Sequence, residues 1–240
     1  MKRSVKLLSG FGIGIALLVV GLLLLSRLIV TSPDFRTKLL REDSGASSGS
    51  RISKSYDIRE FTQIYTEGNW ELEVIRGEDY SIRLEVSDYL ASRLEVEKTG
   101  ERLDIGFLKN TKQRKQAFAS ITLPDIEGVE SSGALDLSVI GVDDGNLRLS
   151  SSGALNARAV DSSFASVEIS VSGASDINLS DSPVDDAEIR ISGAGQVRIL
   201  MNGGNLAGAL SGAGIILYSG KISNLDVRTS GLSSVERAEE

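Results

Sequence analysis

Ser132-Gly133-Ala134, Ser152-Gly153-Ala154, Ser172-Gly173-Ala174, Ser192-Gly193-Ala194, Ser211-Gly212-Ala213 and Ser230-Gly231-Leu232 are six copies of one signature. Their glycines are 20, 20, 20, 19 and 19 residues apart. A fixed period near 20 marks a chain that winds, each repeat forming one coil and burying the apolar face of its neighbours.

Counted from each glycine, the residues at −6, −4, +4 and +6 are mostly apolar. At −4 stand Val129, Leu149, Ile169 and Ile189, and at +4 Leu137, Ala157, Ile177, Val197 and Ile216. Polar residues lie between them, such as Arg148, Glu168, Glu188 and Asp226 at −5. That alternation is the period of a strand with one buried face. Each coil therefore holds two short strands flanking a Ser-Gly-Ala corner. Coils stack at about 4.8 Å, so each corner lies above the last, and glycine lets the backbone turn there. The spacing predicts an all-β, single-stranded parallel β-helix with about 20 residues per coil. Ile169, Ile177, Leu179, Ile189, Val197 and Ile199 are its predicted central core. The serine column reads as a ladder of hydroxyls bonded to backbone. The sharper alternative is a ligand-binding row. Loops at 141–146, 161–166, 181–186 and 201–205 fall at one edge of each coil.

Residues 7–25 carry no charge and are preceded by Lys2, Arg3 and Lys6. This stretch is long enough to cross a bilayer as a helix, and the leading charges hold the N-terminus in the cytoplasm. A cleaved signal peptide is the rival, but its apolar region is shorter and ends in a small-x-small site. With no cysteine in the chain, a lipid-modified N-terminal Cys is excluded. Residues 31–55 include Asp43-Ser44-Gly45-Ala46-Ser47-Ser48-Gly49-Ser50 and read as a flexible tether. Trp70-Glu71-Leu72-Glu73-Val74, Tyr80 to Val86, Leu94-Glu95-Val96 and Leu103-Asp104-Ile105 alternate as strands but lack the Ser-Gly-Ala corner. They are expected to cap the open end of the coils. The expected organisation is thus a cytoplasmic N-terminus and transmembrane anchor over 1–30 and a tether over 31–55. An extracytoplasmic domain follows over 56–240, with an irregular cap at 56–118 and regular coils at 119–235. The expected location is the cell membrane, single-pass, with the bilayer met through residues 7–30.

The chain has 240 residues, no His, no Cys and a net charge of −7. Ser-His-Asp and Cys-His catalysis, His-ligated metals and thiolate sites are therefore excluded. There is no broad basic face and aromatics are scarce, which argues against nucleic acid as a partner. Lys109, Lys112, Arg114 and Lys115 form a local basic run. Such a run grips phosphate or anionic glycan in some proteins and is a solvated loop in most. Asp143, Asp144, Asp161, Asp181, Asp185 and Asp186 recur at comparable loop points. Stacked carboxylates suit Ca²⁺ or acid–base work, and equally they form turns. The Ca²⁺-binding nonapeptide pattern is absent. No catalytic, cofactor-binding or metal-ligating residue is assigned, and no cofactor is expected.

The repeats, residues 61–74, and Ala119-Ser120-Ile121-Thr122-Leu123-Pro124 resemble the bacterial head GIN domain family of auto-transporter adhesins. There, a strand ending in Ile-x-Leu-Pro leads into Ser-Gly-small repeats. The resemblance covers about residues 56–235. It implies a β-helical, extracytoplasmic adhesion domain with no catalytic residues to carry over. No series of amphipathic strands for a membrane barrel is visible in this chain.

The functional expectation is a non-enzymatic, membrane-anchored adhesion or envelope-interaction module. Its partners would be glycans or other envelope proteins. The alternatives are a carbohydrate-active enzyme using the loop carboxylates and a self-assembling envelope scaffold stacking end to end. The oligomeric state is not read from the sequence.

Overall fold

The structure, a computed structural model, describes residues 51–113 and 115–238. Twelve strands and one short helix follow in chain order. They are β1 (Arg51–Tyr56), β2 (Gln63–Arg76), β3 (Ser81–Ser87), α1 (Asp88–Ala91), β4 (Leu94–Thr99), β5 (Arg102–Phe107) and β6 (Ala117–Leu123). Then come β7 (Gly128–Ile140), β8 (Gly145–Ser151), β9 (Ala154–Val160), β10 (Phe164–Asn202), β11 (Asn205–Lys221) and β12 (Asn224–Arg237). All strands join one sheet, in the order β1-β3-β6-β2-β7-β8-β10-β11-β12, with β4, β5 and β9 paired at its sides.

Pairing among the repeats is parallel and follows the sequence period. Val129 faces Leu149 and Leu147 faces Val167. From β10 to β11 the offset drops by one residue, so Ala187 faces Leu206 and Gly193 faces Gly212. Gly212 in turn faces Gly231. Equal spacing puts chemically equal positions on adjacent strands, so inward apolar residues stack in columns. Ile169, Ile177, Ile189 and Val197 are fully buried, and Leu179 and Ile199 retain 1% exposure, as the alternation predicts.

The glycine column has a steric cause. A Cβ on Gly133 would collide with the carbonyl of Gly68, and one on Gly153 with that of Gly133. Gly173, Gly193, Gly212 and Gly231 each meet the previous corner's carbonyl in the same way. Five of these six glycines also hold positive φ, from +83° to +146°. A side chain is thus barred both by its neighbour and by its own backbone.

The predicted fold is corrected in three respects. The all-β class stands, with 76% strand and 2% helix among the described residues, but the architecture is a small four-stranded parallel barrel core with extra strands. A single-stranded β-helix behind a transmembrane helix does not describe it. First, the stretch read as an irregular cap supplies a full turn of the parallel core. β2 lies parallel to β7 over thirteen residue pairs, with Gly68 on Gly133 and Leu72 on Leu137. Second, the sheet is mixed: β1 pairs antiparallel with β3, β3 with β6, and β4 with β5. β1 begins inside the stretch read as tether. Third, no helix among the described residues is long and apolar enough to cross a membrane. The one described helix, α1, has four residues, far short of the roughly 20 a bilayer requires. The predicted anchor at 7–30 lies outside the described residues, and the single-pass cell-membrane location is withdrawn.

Chain order explains the mixed part. Between β2 and β7 the chain inserts β3 to β6, and β2 pairs with β5 over Gln63–Thr66 and with β6 over Trp70–Arg76. That leaves residues 67–69 facing neither strand. Gln113 fills the gap. The Asn69 amide donates to Gln113 Oε1 at 2.7 Å, and Gln113 Nε2 donates to the Asn69 carbonyl at 2.5 Å.

Candidate functional site

The outward residues just before each corner form the site. At −1 stand Ser132, Ser152, Ser172, Ser192 and Ser211, and at −3 Glu130, Ser150, Ser170, Arg190 and Ala209. Serine and alanine side chains are short, so this strip sinks below its surroundings. A groove of about 620 Å³ runs along it, crossing five turns, with Tyr65 of β2 at one end. Parallel register repeats each hydroxyl at the strand spacing of about 4.8 Å. The groove therefore presents a −1 row of five hydroxyls and, at −3, the hydroxyls of Ser150 and Ser170, each able to donate and to accept a hydrogen bond. Glu130 and Arg190 put one carboxylate and one guanidinium on the same row. Arg190 also pairs with Glu168 at 3.4 Å and with Glu188, and Glu168 takes Arg148 at 2.8 Å.

Among the described residues only Ser230 of the six corner serines donates to a backbone carbonyl, that of Leu210, at 3.5 Å. The other five line the groove.

Below the groove, the inward residues at −2 and +2 exchange bulk along the stack. At −2 the order is Thr66, Ser131, Ser151, Val171, Ile191, Leu210. At +2 it is Trp70, Leu135, Leu155, Ser175, Gly195, Gly214. A small residue before the corner is matched by a large one after it, and the roles swap between Gly153 and Gly173. A Cβ on Gly195 would collide with Ser175 Oγ and lie 3.3 Å from Ile191 Cγ2, so serine and isoleucine already occupy that space. Of the inward hydroxyls, Ser131 Oγ donates to Ser151 Oγ at 3.0 Å, whereas the buried Ser175 Oγ has no hydrogen-bond partner among the described residues. The sequence reading missed the −2 column because Ser131 and Ser151 are polar. The signal was present in the even spacing from −4 and −6.

Three of the six loop aspartates, Asp143, Asp185 and Asp186, have side-chain partners. Asp143 Oδ1 accepts from Ser163 Oγ at 3.4 Å, and Arg76 lies 4.0 Å from its other oxygen. Asp144 and Asp161 hold positive φ, +53° and +49°, which aspartate tolerates in turns. Asp185 accepts from Asn202 Nδ2 at 2.8 Å. Asp186 accepts from the Asn205 amide at 2.8 Å and from its side chain at 2.9 Å. Asp181 is exposed on β10. Asp143 and Asp144, with Glu127, Asp125, Arg76 and Arg148, border a second depression of about 640 Å³. Among the described residues no group of three or more His, Cys, Asp or Glu side chains is placed to hold a metal ion. In the basic run, Lys109, Lys112 and Lys115 are exposed and Arg114 lies outside the described residues.

On the opposite flank of the corner, Asp136 at +3 faces Asn156, whose Nδ2 donates to it at 3.3 Å. Burial pushes the Asp136 carboxyl up from its ordinary range, and the Arg158 charge pulls it partly back.

A parallel core whose corners carry a hydroxyl-lined groove defines an all-β scaffold with a repetitive outer face. The chain belongs to the family described as "Putative auto-transporter adhesin, head GIN domain", which matches residues 60–183 and again 168–239. The fold is similar to the crystal structure of a putative adhesin from Bacteroides fragilis, with a TM-score of 0.60 at 16% identity, over 80% of this chain and 98% of that one. A putative adhesin from Parabacteroides merdae matches with a TM-score of 0.41 at 15% identity, over 80% and 97% of the two chains. A putative cell adhesion protein from Clostridium sporogenes matches with 0.34 at 13%, over 78% and 99%. No curated relative matches the chain.

Proposed function

We propose that this protein is a non-enzymatic adhesion module that holds an extended, largely uncharged glycan in the serine groove. The observation that carries this reading is the row of five serine hydroxyls at −1, joined by those of Ser150 and Ser170 at −3, lying open along the groove. A glycan presents hydroxyls that both donate and accept, as serine does. A straight groove of constant pitch suits a chain of repeating units. Membership of the adhesin family supports the same reading. Glu130 and Arg190 would set orientation at separate points along the bound chain.

The experiment is binding of the full chain to a glycan array, repeated with Ser170→Trp and Ser172→Trp. Both serines are on the surface, so tryptophan fills the groove without entering the core. At least tenfold weaker binding by both variants, with unchanged circular dichroism, is the expected result. Equal binding by the variants would remove the groove from the reading.

The carbohydrate-active alternative has one observation in its favour, the gathering of Asp143 and Asp144 at the second depression. Glycan turnover that disappears in Asp143→Asn would put that alternative first.

A further inference from the structure

We infer that β12 docks against β12 of a second copy of this chain, closing a two-fold dimer at that end of the core. β12 is the last strand in the sheet order, and among the described residues its outer edge faces no strand. Its inner edge pairs with β11 over Asn224 to Arg237. The core runs on into this open end. Leu225 is 45% exposed, whereas Leu206 one turn below is fully buried. Val227 and Val235 are only partly covered, and beside the corner the outward-facing Leu232 adds an apolar side chain that is 71% exposed. At the first corner, by contrast, Gln113 covers the edge through its two hydrogen bonds with Asn69. A long open edge with an apolar interior is a template for another strand.

A second copy fits this edge for a geometric reason. The added strand must carry a glycine where β12 has Gly231, because every corner here stacks glycine on glycine. It must also point the same alternate residues inward. A two-fold axis through Gly231 meets both demands, since residue 231−n then lies opposite 231+n and inward stays inward. Val227 falls on the partner's Val235 and Arg228 on the partner's Ser234. The partner's Glu236 then lies on the diagonal from Arg228, within reach of a long side chain. That pair recurs on the other side of the axis and offsets the meeting of Asp226 with the partner's Glu236. Such an isologous contact closes on itself, so the open edge is consumed and no fibre grows.

The chain has no cysteine, so introduced thiols report this contact alone. Arg228→Cys and Ser234→Cys, each made singly in the full chain, change exposed or half-exposed outward positions. Opposed residues of an antiparallel pair lie about 4.5–5.5 Å apart at Cα, inside the range a disulfide spans. The expected result is a covalent dimer when the two variants are mixed and oxidised, and none from either alone. Light scattering on the unmodified chain should give twice the monomer mass, falling to the monomer mass in Leu232→Lys. Absence of the mixed cross-link overturns the inference. So does equal cross-linking by either variant alone, or a dimer mass untouched by Leu232→Lys. None of these readings depends on the serine groove, so glycan binding and dimerisation fail or stand separately.

Discussion

Gln113 makes with Asn69 the two hydrogen bonds a neighbouring strand would make. The Asn69 amide donates to Gln113 Oε1 at 2.7 Å, and Gln113 Nε2 returns a bond to the Asn69 carbonyl at 2.5 Å. One side chain thus bridges the break between β5 and β6 and covers the first glycine corner. Gln113→Ala leaves a half-buried amide and carbonyl without partners, a loss of about 1–3 kcal/mol. Gln113→Glu keeps the acceptor and loses the donor, and should fall between. Urea denaturation of the three proteins checks the order. An unchanged midpoint in Gln113→Ala would mean that water replaces the amide.

Gly193→Ala should be among the most damaging single changes. The new methyl meets the Gly173 carbonyl, and φ at this position is +138°. Strained backbone alone costs about 1–3 kcal/mol, and the collision adds to it. Gly100→Ala is the control: its φ is also positive, +62°, but open space surrounds it. Its loss should stay near the backbone cost of about 1 kcal/mol. Comparable losses in the two variants would show that φ, and not the stacked carbonyl, sets the glycine column.

Ile177→Ala empties a fully buried position in the middle of the core. The expected loss is about 2–5 kcal/mol. Thermal unfolding with matched denaturant curves measures it, and a loss below about 0.5 kcal/mol would contradict the inward register.

Asp136 gives a pH dependence with a definite sign. Burial raises its folded-state pKa, with Arg158 opposing, so the folded state binds the proton more tightly than the unfolded state. Stability from this group is therefore fully present below the unfolded value of about 3.9. It declines as pH rises through the raised folded value. Asp136→Asn removes that decline while keeping an oxygen to accept from Asn156. The stability of the variant relative to the unmodified protein should rise between pH 3 and pH 7. A flat difference over that range would show that Arg158 fully offsets the burial.

The 20-residue period, the inward columns and the glycine corners were all legible in the residues. Equal spacing forces equal positions onto adjacent parallel strands, so Ile169, Ile189 and Gly193 could be placed without coordinates. Gly68 could not, since Glu67-Gly68-Asn69 lacks the Ser-Gly-Ala signature and β3 to β6 separate it from Gly133. Only the pairing of β2 with β7 shows it to be the first corner. Gln113 was hidden in a basic run, because its partner Asn69 lies 44 residues away and no local pattern links them. The serine column was visible as a column, but whether it met backbone or solvent depended on how the strip sits between its neighbours. Tertiary packing made it a groove, because the bulk that Leu135, Leu155 and Ile191 supply lies inside the corner while the short side chains face out. Periodicity along the chain thus determined which residues repeat and which way they point. Contacts between distant segments alone decided where the stack begins, how its first edge is covered and which surface is left open.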